Sequence, residues 1–147
     1  MATTLISGGT VVSSTGRAPA DVLIDGEVIK AVLSPGSTLL GTDVAASVDH
    51  IIDATGKYVI PGGIDAHTHM ELPFGGTAAI DTFETGTRAA AWGGTTSIID
   101  FAVQTFGTRI EDALATWHEK AAGNCAIDYG FHQIVGDVTP ESLKAME

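Results

Sequence analysis

His67 and His69 stand one residue apart within YVIPGGIDAHTHMELPFGGT, residues 58–77. Imidazole nitrogen is among the commonest protein ligands for zinc and related metals. On an extended strand the side chains at i and i+2 leave the same side. The two rings can therefore be aimed at one point, as two ligands of a single metal ion must be. The pair alone is weak ground, because the chain has five histidines and imidazole also serves ordinary structural roles. The surroundings strengthen it. Pro61, Gly62 and Gly63 punctuate the strand, and an apolar, Gly-ended loop with Met70, Leu72, Phe74, Gly75 and Gly76 follows. Asp65, two residues before His67, either orients a ligand histidine through a hydrogen bond or caps the strand end.

Those side chains need a scaffold, and the flanking patterns predict one. Asp81-Thr82-Phe83-Glu84 carries an N-cap residue with Glu three positions on, opening a small-residue helix that ends at Gly93-Gly94. TTSIIDFAV then reads as a strand buried on both faces. Thr108-Arg109-Ile110-Glu111 repeats the capping pattern, and Ile110, Ala113, Leu114, Trp117 and Ala121 recur at helical spacing up to Gly123-Asn124. Residues 126–135 are expected to form a third buried strand, and Thr139-Pro140 opens a third helix with Pro at its first position. Strand alternating with helix is the repeat of an α/β protein. Upstream, the runs in residues 4–33 break at Asp25-Gly26, a hairpin signal. Pro35-Gly36 and Gly41 mark a longer connection, and HIIDATGKYVI supplies a further strand or two. Residues 1–57 thus predict an antiparallel sheet.

The composition is that of a globular protein, with 44% hydrophobic and 17% charged residues among 147. A net charge of −11, with seven Lys and Arg and no basic cluster, argues against nucleic acid as a partner. No apolar run reaches membrane-spanning length and the N-terminus lacks a secretory pattern, so no membrane association and a cytoplasmic location are expected. The single Cys125 excludes an internal disulfide, and its neighbours offer no cation to activate it as a nucleophile.

PGGIDAHTH resembles the first barrel strand of the amidohydrolase superfamily, and HMELPFGGT is similar to its hydantoinase and dihydropyrimidinase branch. The resemblance runs on through DTFETGTRAAAWGGTTSIIDFAV and IDYGFHQIV and back to the N-terminus. It implies a truncated (β/α)₈ TIM barrel: about three βα units in residues 58–147, preceded in residues 1–57 by an antiparallel sheet that is part of a β-sandwich domain. A whole barrel needs eight units and roughly 250 residues.

The resemblance further implies hydrolytic opening of a cyclic amide, a hydantoin or dihydropyrimidine, at a binuclear centre of Zn2+, with Mn2+ or another divalent metal as alternatives. His67 and His69 would be metal ligands. The family's carbamylated lysine, further histidines and aspartate belong to later strands, so no catalytic residue beyond the metal ligands is assigned and the chain alone is expected to be inactive. Met70, Leu72 and Phe74 would wall a substrate-gating loop or else pack it onto the barrel. Glu71 stands where dihydroorotases carry arginine, which argues against a carboxylate-bearing substrate. The family implies a homo-oligomer, commonly a tetramer. A non-catalytic scaffold of the same fold is the alternative, although such relatives tend to lose the metal ligands that this chain keeps. Asp100, near the end of the second strand, is read as a structural hydrogen-bonding group in preference to a contact with the site, and His132 as a core or network histidine in preference to a metal ligand; His50 and His118 are read as exposed, and Trp92 and Trp117 as helix-packing residues.

Overall fold

The computed structural model describes residues 2–39 and 42–146. They form a mixed α/β arrangement of two compact units, Met1–Pro61 and Gly62–Glu147. Gly41, expected in a loop, lies outside the described residues.

In the first unit β1 (Thr3–Ser13), β2 (Gly16–Asp25) and β3 (Val28–Leu33) are antiparallel neighbours in the order β3-β2-β1. The Asp25-Gly26 turn joins β2 to β3, with Gly26 at φ 62°. Strand β2 begins ahead of its apolar pattern and includes Pro19, opposite Thr10. Proline is tolerated there because β3 pairs with β2 only from Asp21 onward, so no ladder bond is lost on that side. After the short ladder of β4 (Thr38–Leu39) and β5 (Thr42–Asp43) comes a single 3-10 turn, Val44–Ser47, capped by Asp43. Strands β6 (His50–Asp53) and β7 (Tyr58–Val59) both run parallel to β1. The sheet is therefore mixed rather than antiparallel throughout. The connection from β3 to β6 is long enough to bring the chain back in the direction of β1, which a tight hairpin cannot do. Leu5, Leu23 and Val44 form the core of this unit.

In the second unit β8 (Gly63–Thr68) leads into the hairpin of β9 (Pro73–Phe74) and β10 (Thr77–Ala78), then α1 (Phe83–Trp92), β11 (Thr95–Val103), α2 (Ile110–Ala121), β12 (Asp128–Ile134) and α3 (Pro140–Ala145). β8, β11 and β12 form one parallel sheet in the order β12-β11-β8. The expected βα alternation is present, with shifts at the caps. Thr82, not Asp81, caps α1, and Thr85 completes the reciprocal bond; Asp81 instead accepts from the Thr85 hydroxyl at 3.1 Å. α2 starts one residue later than its pattern, with Arg109 at the N-cap and no side-chain bond, because the Thr108 hydroxyl donates to the Thr105 carbonyl at 2.7 Å. Thr139 caps α3 with Pro140 following, as expected.

The core of this unit joins Phe83, Ile98, Ala102, Trp117 and Ala121. Ile98, Asp100 and Ala102 project to the helix side of β11 and are buried, whereas the alternate residues Ile99, Phe101 and Val103 are half-buried. β11 is thus not buried equally on both faces. β12, an edge of this sheet, is half-exposed rather than buried. Trp92, expected to pack, is 93% exposed. It lies nine residues after buried Phe83, which at about 100° per residue places it on the opposite side of α1.

Gly136 lies so close to the main chain that an added Cβ would overlap the Gln104 carbonyl oxygen, while Gln104 Oε1 accepts the N–H of Gly136 at 3.1 Å and of Asp137 at 3.2 Å. Backbone, unlike a flexible side chain, cannot step aside. We expect Gly136→Ala to lower stability by about 1–3 kcal/mol, read as a shifted denaturant midpoint with an unchanged slope.

Candidate functional site

The His pair lies at the C-terminal end of β8, where the ladder with β11 is irregular. Asp65 is paired with Ile98 and Thr68 with Asp100, so Ala66 and His67 together face the single residue Ile99. Such an extra residue bends a strand and re-aims its side chains. Asp65 Oδ1 accepts the main-chain N–H of His67 at 3.1 Å, so this carboxylate acts on the backbone that carries the ring.

Both rings lie against Phe101 of β11. Their centroids are 4.6 Å (His67) and 5.1 Å (His69) from that of Phe101 and 5.0 Å from each other, with the two imidazole planes perpendicular. His67 and His69 are both exposed. This is the same-side placement expected of i and i+2, set over an aromatic floor. His132, the register partner of Phe101 on β12, reaches the same floor at 5.0 Å, and its Nε2 lies 3.2 Å from the Ala66 carbonyl oxygen. Three histidines therefore surround one phenylalanine. His132, expected inside a buried strand, is exposed. The available signal was parity: in aligned parallel strands, the residue opposite Phe101 shares its face.

Two imidazoles side by side suit zinc or another divalent transition metal as part of a ligand set. Among the described residues, no group of three or more His, Cys, Asp or Glu converges to hold a metal by itself.

The loop after His69 divides by residue. Met70 and Leu72 pack against the core around Phe83, and the Met70 sulfur fills the space over Gly86, where a Cβ would overlap it. Phe74, in β9 of the hairpin, is 81% exposed. Glu71 adopts φ 54°, rare for a residue other than glycine, and its carboxylate lies 3.5 Å from Lys120 Nζ. Its negative charge is thus paired with α2, which weakens the sequence argument that Glu71 repels an anionic substrate. Lys120 Nζ also sits 4.6 Å from the centre of the Trp117 ring. Cys125 is half-buried, and burial, then the charge of Asp100, pushes its thiol up, in keeping with an inert packing role. No described helix is long and apolar enough to cross a membrane.

No protein-family model matches the chain. The D-hydantoinase of Streptomyces coelicolor is 56% identical over 98% of this chain and 30% of its own length. The dihydropyrimidinase of Rattus norvegicus is 42% identical over 97% of this chain and 27% of its own length. The crystal structure of dihydropyrimidinase from Brevibacillus agri superimposes with a TM-score of 0.87 at 48% identity, covering 99% of this chain and 30% of that one. The chain thus spans under a third of each of these relatives.

Proposed function

From this likeness to part of the D-hydantoinases and dihydropyrimidinases, we propose that the chain is the N-terminal portion of a metal-dependent hydrolase that opens the ring C–N bond of a hydantoin or dihydropyrimidine. Residues 1–57 then contribute to a β-sandwich and residues 58–147 begin a (β/α)₈ barrel. The observation that carries the reading is the perpendicular imidazole pair, 5.0 Å between ring centres, at the end of the strand where barrel enzymes keep their working groups.

In this reading His67 and His69 supply two ligands, and the remaining ligands of a binuclear zinc site come from later segments of the longer protein. Bound divalent metal would polarise the ring carbonyl and make hydroxide available near neutral pH. The chain's own residues hold the geometry. Phe101 restricts both imidazoles, and Asp65 fixes the main chain at His67. Phe74 is the loop residue left free to form an apolar wall against the substituent of the ring, while Met70 and Leu72 anchor the loop. Water adds to the ring carbonyl, the C–N bond breaks, and nitrogen leaves with a proton. A cytoplasmic homo-oligomer, a tetramer as is common in the family, completes the reading.

The test is an assay of the complete protein on hydantoin and dihydrouracil, before and after chelation and with zinc restored. Turnover that disappears with chelator and returns with zinc is expected, with no turnover by residues 1–147 alone. Turnover of neither ring would overturn the proposal.

A further inference from the structure

Beneath the histidine pair lies a polar cluster to which the metal reading assigns no part. Asp100 is 0% exposed, on the helix side of β11. Its Oδ2 accepts the Thr68 hydroxyl at 2.9 Å and the Met70 N–H at 2.8 Å. Its Oδ1 accepts the Phe101 N–H at 2.7 Å and the Trp117 indole N–H at 3.3 Å. Thr68 and Met70 are the two neighbours of His69, so one oxygen atom grips the chain on both sides of that residue. Phe101 is the ring on which both imidazoles rest. A buried carboxylate is tolerated only when its oxygens are well supplied with donors, and here both oxygens are. An amide could not replace it, since one of its two ends would present N–H groups to donors.

We propose that Asp100 is the positioning residue of the metal site. It touches neither metal nor substrate, but clamps the segment Thr68–Met70 to β11 and, through Trp117, to α2, so that His69 leaves the strand end in one direction. This inference rests on the reading of His67 and His69 as metal ligands. It also explains why an acidic side chain interrupts the apolar run from Ile98 to Val103 in β11.

The test uses the complete protein and two readouts besides turnover: zinc affinity by competition with a chromogenic chelator, and the visible spectrum of the cobalt(II)-substituted protein. Asp100→Asn is expected to bind zinc about 10–100-fold more weakly, as is typical when a partner behind a ligand is lost, and to shift the cobalt bands. Thr68→Val keeps the carboxylate and the side-chain shape but removes one of the two Oδ2 donors; a several-fold weakening is expected. Thr87→Val is the control. The Thr87 hydroxyl, also 0% exposed, accepts the Ala126 N–H at 3.0 Å away from the histidines, so this variant should lose stability yet bind zinc within about twofold of the parent. Parent-like affinity and cobalt spectra in both Asp100→Asn and Thr68→Val would overturn the proposal. If Asp100→Asn does not fold, Thr68→Val decides: several-fold weakening upholds it and parent-like binding overturns it. A parent protein whose zinc binding is unaffected by His67→Ala would instead overturn the metal reading itself, and this inference with it.

Discussion

His67→Ala in the complete protein is expected to lower ring opening by at least about a thousand-fold, some 4 kcal/mol in the barrier, while leaving the melting temperature of the metal-free protein nearly unchanged. The two parts have separate causes. His67 is exposed and rests on one face of Phe101, so truncating it opens no enclosed cavity. The loss falls on chemistry, since metal bound by fewer ligands is held weakly and hydroxide is no longer supplied near neutral pH. Steady-state turnover at saturating substrate, with zinc content measured on the same sample, checks both. Activity within tenfold of the parent would contradict the role given to His67.

Phe83→Ala should behave in the opposite way. Phe83 is 0% exposed, opens α1 immediately after the Thr82 cap, and meets the Phe131 ring edge-on at 6.1 Å between centroids. Met70 and Leu72 pack against the same cluster. Removing the ring loses its burial and leaves a void among the packed side chains of this cluster, so a stability loss of about 3–5 kcal/mol is expected. Denaturant unfolding of the complete protein measures it. Turnover per folded molecule should fall far less than in His67→Ala, because the imidazoles sit on the other face of β11, over Phe101. A loss below about 1 kcal/mol would mean that the cluster collapses to fill the space.

The alternation of strands and helices was legible because each element carries its own punctuation, from Asp25-Gly26 to Gly93-Gly94 and Thr139-Pro140. The caps of α1 and α2 were misplaced by one residue for a physical reason. Asp81, Thr82 and Thr108 all have capping oxygens, and which one serves depends on competing bonds such as Thr108 to Thr105 that sequence does not rank. Direction was the other weakness. The parallel return of β6 and β7 onto β1 is decided by partners distant in sequence, not by the apolar pattern of either strand.

At the site, the same-side placement of His67 and His69 follows from strand geometry and was readable. The aromatic floor was not. Phe101 and His132 reach it only through the register of three strands, and the extra residue at Ala66–His67 has no sequence signal of its own. Asp100 and Trp117 had been assigned structural roles singly. That Asp100 binds both neighbours of His69 and the Trp117 indole appears only when β8, β11 and α2 are assembled.

Crystals of the complete protein, with diffraction recorded on both sides of the zinc absorption edge, test the central claim most directly. An anomalous peak about 2.0–2.1 Å from a ring nitrogen of His67 and of His69 is expected. A zinc peak coordinated elsewhere, with these two imidazoles free of metal, would contradict it.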